Sequence, residues 1–174
     1  MQCLPVLGAL FLLAAWLVVE PAGAARITDD PNGFNGYTWG TAQATFPSLK
    51  LVRDLGSTDF VSSAGVYEIP GEALALNGAP LSKIHYRFID GQLESIQLRY
   101  AGRENREKLM RWVEDHYGKV TPADRKMINA VQWFGDKTTV TLSWDFAAQQ
   151  GMLLFISPAL NHKFNEFHQA TQGD

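Results

Sequence analysis

Cysteine is nearly absent from this chain: Cys3 is the only one in 174 residues. It lies ahead of an apolar run that reads as a removable leader, so the mature chain carries no thiol. That excludes a disulfide framework, a cysteine nucleophile and cysteine metal ligands. Stability must then come from core burial, and a mature chain of about 150 residues is long enough for one ordinary domain. An excess of charge is lacking too. Fifteen Lys and Arg stand against 18 Asp and Glu, a net charge of −3, and loss of Glu20 with the leader takes −3 to −2. Such a balance gives no electrostatic case for nucleic acid, which requires a concentrated basic surface.

What is present begins with the leader. Leu4 to Val19 is almost wholly apolar, and Pro21-Ala22-Gly23-Ala24-Ala25 follows at once. A greasy run closed by an Ala-x-Ala step reads as a secretory signal over residues 1–24, with cleavage after Ala24 or Ala25. The run is short for a membrane span, which needs about 20 apolar residues. Glu20 and Pro21 close it, and no basic cluster follows. The implied destination is the periplasm or the exterior, with membrane contact only if the leader stays uncleaved.

Residues 25–40 read as an irregular lead-in, rich in Asp, Asn and Gly, and residues 41–170 as a single domain. Thr41 caps a short helical candidate ending at Pro47. Strand signals start at Phe60-Val61 and resume at Gly65–Ile69, and Asn77-Gly78 marks a turn. Ile84, Tyr86 and Phe88 alternate before an Asp90-Gly91 turn, which predicts a hairpin. On the return strand Leu93 and Ile96 differ in parity, which predicts a β-bulge near Glu94-Ser95. Leu109, Trp112, Val113, His116 and Tyr117 recur at helical spacing, with Gly118 as the stop. Met127–Phe134, Val140–Phe146 and Met152–Ile156 are three further strands. Ser157-Pro158 opens a last helix with a Leu160, Phe164, Phe167 stripe. The fold class is α+β: an antiparallel sheet with helices packed on one face, in a possible α-βββ-α-βββ-α order.

Pro31-Asn32-Gly33-Phe34-Asn35-Gly36-Tyr37-Thr38-Trp39-Gly40-Thr41 resembles the opening of a family of small exported bacterial proteins with a Gly-Phe-x-Gly-x-x-Trp-Gly start. Tyr86-Arg87-Phe88-Ile89-Asp90-Gly91-Gln92-Leu93 and Tyr117-Gly118 are similar to that family's hairpin and helix end. The resemblance covers most of the mature chain. It implies a bacterial envelope setting and brings no activity or catalytic residues.

No catalytic signature stands in the sequence. His85, His116, His162 and His168 are scattered, and none pairs at i, i+4 on a metal-binding helix. Asp29-Asp30-Pro31-Asn32-Gly33 lacks the spacing of a calcium loop and reads as a solvated turn. A nucleophile elbow and a phosphate-cradling loop are both missing. Trp39, Trp112, Trp133 and Trp144 fall on core patterns. The reading therefore assigns no catalytic residue, no metal and no cofactor. One surface feature remains. With Ile84, Tyr86 and Phe88 inward, Lys83, His85 and Arg87 point outward, and Gln97 and Arg99 join them beyond the bulge. Arg87 meets Glu94 there as a weak surface pair. The strip suits an anionic ligand, an acidic partner such as another envelope protein, or lipid headgroups. The expected role is a binding or assembly module. The alternatives are a small hydrolase of envelope polymers with a dispersed acid/base pair, and an inhibitor or chaperone-like partner of another exported protein.

Overall fold

The structure is a computed structural model that describes residues 24–121 and 129–172. Residues 1–23 of the expected leader and Met127-Ile128 of the expected strand lie outside the described residues, while Ala24, the last residue of that expected leader, opens a strand.

The hairpin is the centre of the fold. Strands β7 (Ala79–Ile89) and β8 (Gln92–Ala101) pair antiparallel over their length. Asp90 and Gly91 have φ of 50° and 70°, the two left-handed positions of a tight hairpin turn whose twist matches the strands. Asn77 and Gly78 repeat that geometry, with φ of 50° and 69°, between β6 (Ala75–Leu76) and β7. The predicted bulge is there. Arg87 pairs Ser95 while Phe88 pairs Leu93, so Glu94 is the extra residue. A second bulge at Ser82 lets Leu81 and Ile84 share a face.

The main sheet runs β1 (Ala24–Arg26), β9 (Ala130–Phe134), β10 (Thr139–Asp145), β11 (Gln150–Ile156), β8, β7, β5 (Ala64–Glu68), β4 (Lys50–Gly56), with β6 beside β7. One face is the core. Tyr86, Phe88, Leu93, Ile96, Leu98, Trp133, Val140, Leu142, Leu153 and Phe155 are all buried on it. Helix α1 (Arg103–Tyr117) lays Leu109, Met110, Val113 and Tyr117 against that face. It ends at Gly118 (φ 113°), whose carbonyl accepts the Trp133 indole N–H at 2.8 Å.

Four expectations change. The sheet is mixed, because β1 lies parallel to β9. No hairpin ties those strands, so nothing forces the antiparallel sense. The helices do not share a face. α2 (Pro158–Gln172) sets Phe164 against Arg87 and the Val61, Ala64 and Ile89 cluster, and alternation along β5 and β7 places Ala64, Arg87 and Ile89 opposite the core face. The regular α-βββ-α-βββ-α order does not appear either. The first helix is a single 3₁₀ turn (Gln43–Thr45) before Pro47, and more than three strands separate it from α1. Phe146 turns out of the β10 pattern and is 56% exposed.

The lead-in is built into the same core. Strands β2 (Gly33–Phe34) and β3 (Tyr37–Thr38) form a small ribbon, and Phe34 stacks on Phe155 with ring centroids 3.9 Å apart. The Asp30 carboxylate accepts the Lys137 and Thr138 backbone N–H groups at 2.6 and 3.0 Å, and the Trp39 indole donates to the Thr138 hydroxyl at 2.8 Å. The expected solvated turn is thus a cap on the β9–β10 connection. No described helix is long and apolar enough to cross a membrane.

Gly151 shows how closely the strands are fitted. A Cβ there would meet the Tyr100 ring at 2.2 Å and the Ser143 carbonyl oxygen at 2.5 Å, while Tyr100 donates to that carbonyl at 2.7 Å. Gly151→Ala is expected to destabilise the fold by about 1–3 kcal/mol through overpacking, read as a lowered midpoint of urea unfolding with unchanged m.

Candidate functional site

The candidate site is a cleft on the face opposite the core. Sheet register builds it. Arg53 on β4 pairs Val66 on β5, Val66 pairs Arg87 on β7, and Arg87 pairs Ser95 on β8. In the neighbouring row His85 pairs Gln97, and Gln97 pairs Leu154 on β11. One row further, Lys83 pairs Arg99. Arg53, His85, Arg87, Gln97 and Arg99 line a cavity of about 370 Å³ with Ser95 and the apolar side chains Val52, Val66 and Leu154.

Four of the five residues expected from the sequence therefore meet in one place. Lys83 does not. It lines a separate hollow of about 340 Å³ with Lys50, Glu68 and Glu72. Arg53 is the residue that sequence reasoning missed. Bulges between Leu51 and Arg53 and between Asp54 and Gly56 break the alternation of β4, so the sequence shows only apolar Leu49, Leu51 and Val52 followed by a mostly polar turn over Asp54–Asp59.

The cations of the cleft differ in their surroundings. The Arg87 guanidinium binds both Glu94 carboxylate oxygens, Nε to Oε2 at 2.6 Å and Nη2 to Oε1 at 2.8 Å. Glu94 is 0% exposed and Arg87 19%, so this is a buried, bidentate pair and not the weak surface contact expected. The bulge is the reason: it turns Glu94 to the same side as Ser95 instead of alternating away. Phe164 of α2 caps Arg87, with the guanidinium carbon 3.6 Å from the ring centroid. His85 Nε2 meets the Glu68 carboxylate at 3.0 Å. Arg53 and Arg99 have no carboxylate within ion-pair distance among the described residues.

Besides the Phe164 contact, two polar contacts fasten helix α2 beside the cleft, and a cap closes its first turn. Ser157 donates its backbone N–H to the Glu94 carbonyl at 2.9 Å, and its hydroxyl accepts the Leu160 N–H at 3.3 Å, the expected N-cap. Lys163 reaches Asp90 of the hairpin turn at 3.5 Å. Burial alone would raise the Asp90 carboxyl, but hydrogen bonds from Ser62 and the Lys163 charge outweigh it and hold it below the usual range.

Elsewhere, Glu72 is raised, chiefly by burial and further by the Glu68 charge, although it accepts the Tyr86 hydroxyl at 2.7 Å. A wider hollow of about 560 Å³ lies between the β2–β3 ribbon and α1. There Trp112 stacks on His116 at 4.3 Å and Phe34 meets Trp112 edge-on, so Trp112 is a half-buried wall residue and not full core. Among the described residues no three His, Cys, Asp or Glu side chains are grouped to hold a metal ion.

Two outcomes follow from the pairs. Glu94→Gln is expected to cost about 3–5 kcal/mol, because it leaves the Arg87 charge without its counter-ion, and a thermal melt reads it. The folded Asp90 carboxyl is depressed, so its stabilisation is present above its unfolded value, 3.8, and is lost as pH falls through the lower folded value. Asp90→Asn is expected to flatten the acid limb of a stability–pH profile; an unchanged limb contradicts this assignment.

Compared with known protein families, with curated proteins and with solved structures, the chain matches none.

Proposed function

We propose that this chain is an exported bacterial binding module, acting without catalysis, whose open-face cleft takes an anionic ligand. The observation that carries the reading is the pair Arg53 and Arg99. Both line a concave site, and neither has a carboxylate within ion-pair distance among the described residues. Guanidinium groups present a planar fork of donors that matches carboxylate and phosphate oxygens. Gln97 and Ser95 add uncharged hydrogen-bonding groups beside them. A concave, partly apolar site with a few converging polar groups is the usual form of a small-ligand site. Export is supported by the apolar run from Leu4 to Val19 and its small-residue close.

A second reading keeps one observation of its own. Glu68 and the raised Glu72 share the hollow that Lys50 and Lys83 line, which is where an acid/base pair of a small hydrolase would sit.

The test is a panel of inorganic phosphate and small mono- and dicarboxylates, followed by thermal melting at constant ionic strength. An anion at a hundred times its Kd stabilises the fold by about 2.7 kcal/mol. At least one anion of the panel is expected to do so, and Arg53→Glu with Arg99→Glu is expected to abolish the effect. A panel that acts no differently from chloride would reject the reading.

A further inference from the structure

We infer that the ligand of this cleft is an elongated dianion, a small linear dicarboxylate with an aliphatic middle. The inference rests on the anion-binding reading above and specifies its ligand. It begins from a charge account of the cleft. Four basic side chains line it, but Arg87 is already neutralised by Glu94 and His85 already contacts Glu68. Among the described residues two positive charges remain without a carboxylate partner, on Arg53 and Arg99.

Those two charges come from opposite corners. Arg53 stands on β4 and Arg99 on β8, with β5 and β7 between them. Three strand spacings place their backbones about 14 Å apart across the sheet. Arg53 shares a row with Arg87 and Ser95, whereas Arg99 lies four residues further along β8, about 13 Å away. Both side chains nevertheless line the same cavity. Their backbones therefore stand at opposite corners of it, and two separated anionic groups meet both without drawing the guanidinium groups together.

The walls between the corners suit a hydrocarbon spacer. Val66 and Val52 stand on the β4–β5 side and Leu154 on the β11 side. Apolar area removed from water there contributes about 25 cal/mol per Å². A phosphate would leave these side chains without contact, and a monocarboxylate would leave one guanidinium unpaired. The cavity of about 370 Å³ accommodates a molecule of this class.

Isothermal titration of the purified protein with adipate and suberate, against hexanoate, octanoate and inorganic phosphate, tests it. The better dicarboxylate is expected to bind at least tenfold more tightly than the monocarboxylate of equal length. Arg53→Gln and Arg99→Gln, both exposed positions, are each expected to reduce it to the monocarboxylate level without lowering the melting temperature. Equal affinities for mono- and dicarboxylates, or tighter binding of phosphate, would overturn the dianion while leaving the anion site standing. Binding of none of the five would overturn both.

Discussion

The extra residue at Glu94 is the constraint on which the open face depends. A regular strand in step with Ile96 and Leu98 would point position 94 into the core and turn Leu93 out of it, and a carboxylate is intolerable there. The bulge turns it to the other side, and there Arg87 closes on it with two hydrogen bonds. The same residue's carbonyl receives the Ser157 N–H, and Phe164, two turns into the helix, covers the guanidinium. One backbone irregularity thus sets strand register, buries an ion pair and fixes where the last helix lies.

The two faces of the sheet consequently do different work. The core face is sealed by α1 and by the β2–β3 ribbon, whose Phe34 and Tyr37 stack on Phe155 and Phe46. The opposite face is closed by α2 only near the hairpin end, through Val61, Ala64 and Ile89. Beyond that contact, side chains of β4, β5, β7, β8 and β11 converge on a cleft that no described helix fills. Within the cleft Arg87 is neutralised by Glu94, and His85 lies beside Glu68. Arg53 and Arg99 reach it from β4 and β8.

Much of this was legible in the residues. Asp90-Gly91, the strict alternation of Ile84, Tyr86 and Phe88, and the parity slip between Leu93 and Ile96 carry the hairpin and its bulge, because each has one cheap backbone solution. The α1 stripe, the Gly118 stop and the Ser157 cap are local signals of the same kind. What was not legible depends on distant partners. β4 hides because its two bulges scramble the period of two, and Arg53 hides with it. β1 pairs a strand more than a hundred residues away, and nothing in Ala24–Arg26 announces that. The depth of Glu94 also escapes a sequence reading, since burial there comes from α2 folding back over Arg87. Lys83 sits in the right row, yet it faces a different hollow.

The most direct measurement of this account is amide hydrogen exchange on Glu94→Gln beside the parent protein. If the bulged glutamate ties sheet, turn and last helix together, protection falls first along α2 and around Ser62–Asp90. The amides of α1, β9 and β10 then keep their parent rates under conditions where the variant stays folded. Loss spread evenly over the whole domain, or α2 amides unchanged by the substitution, would contradict the account.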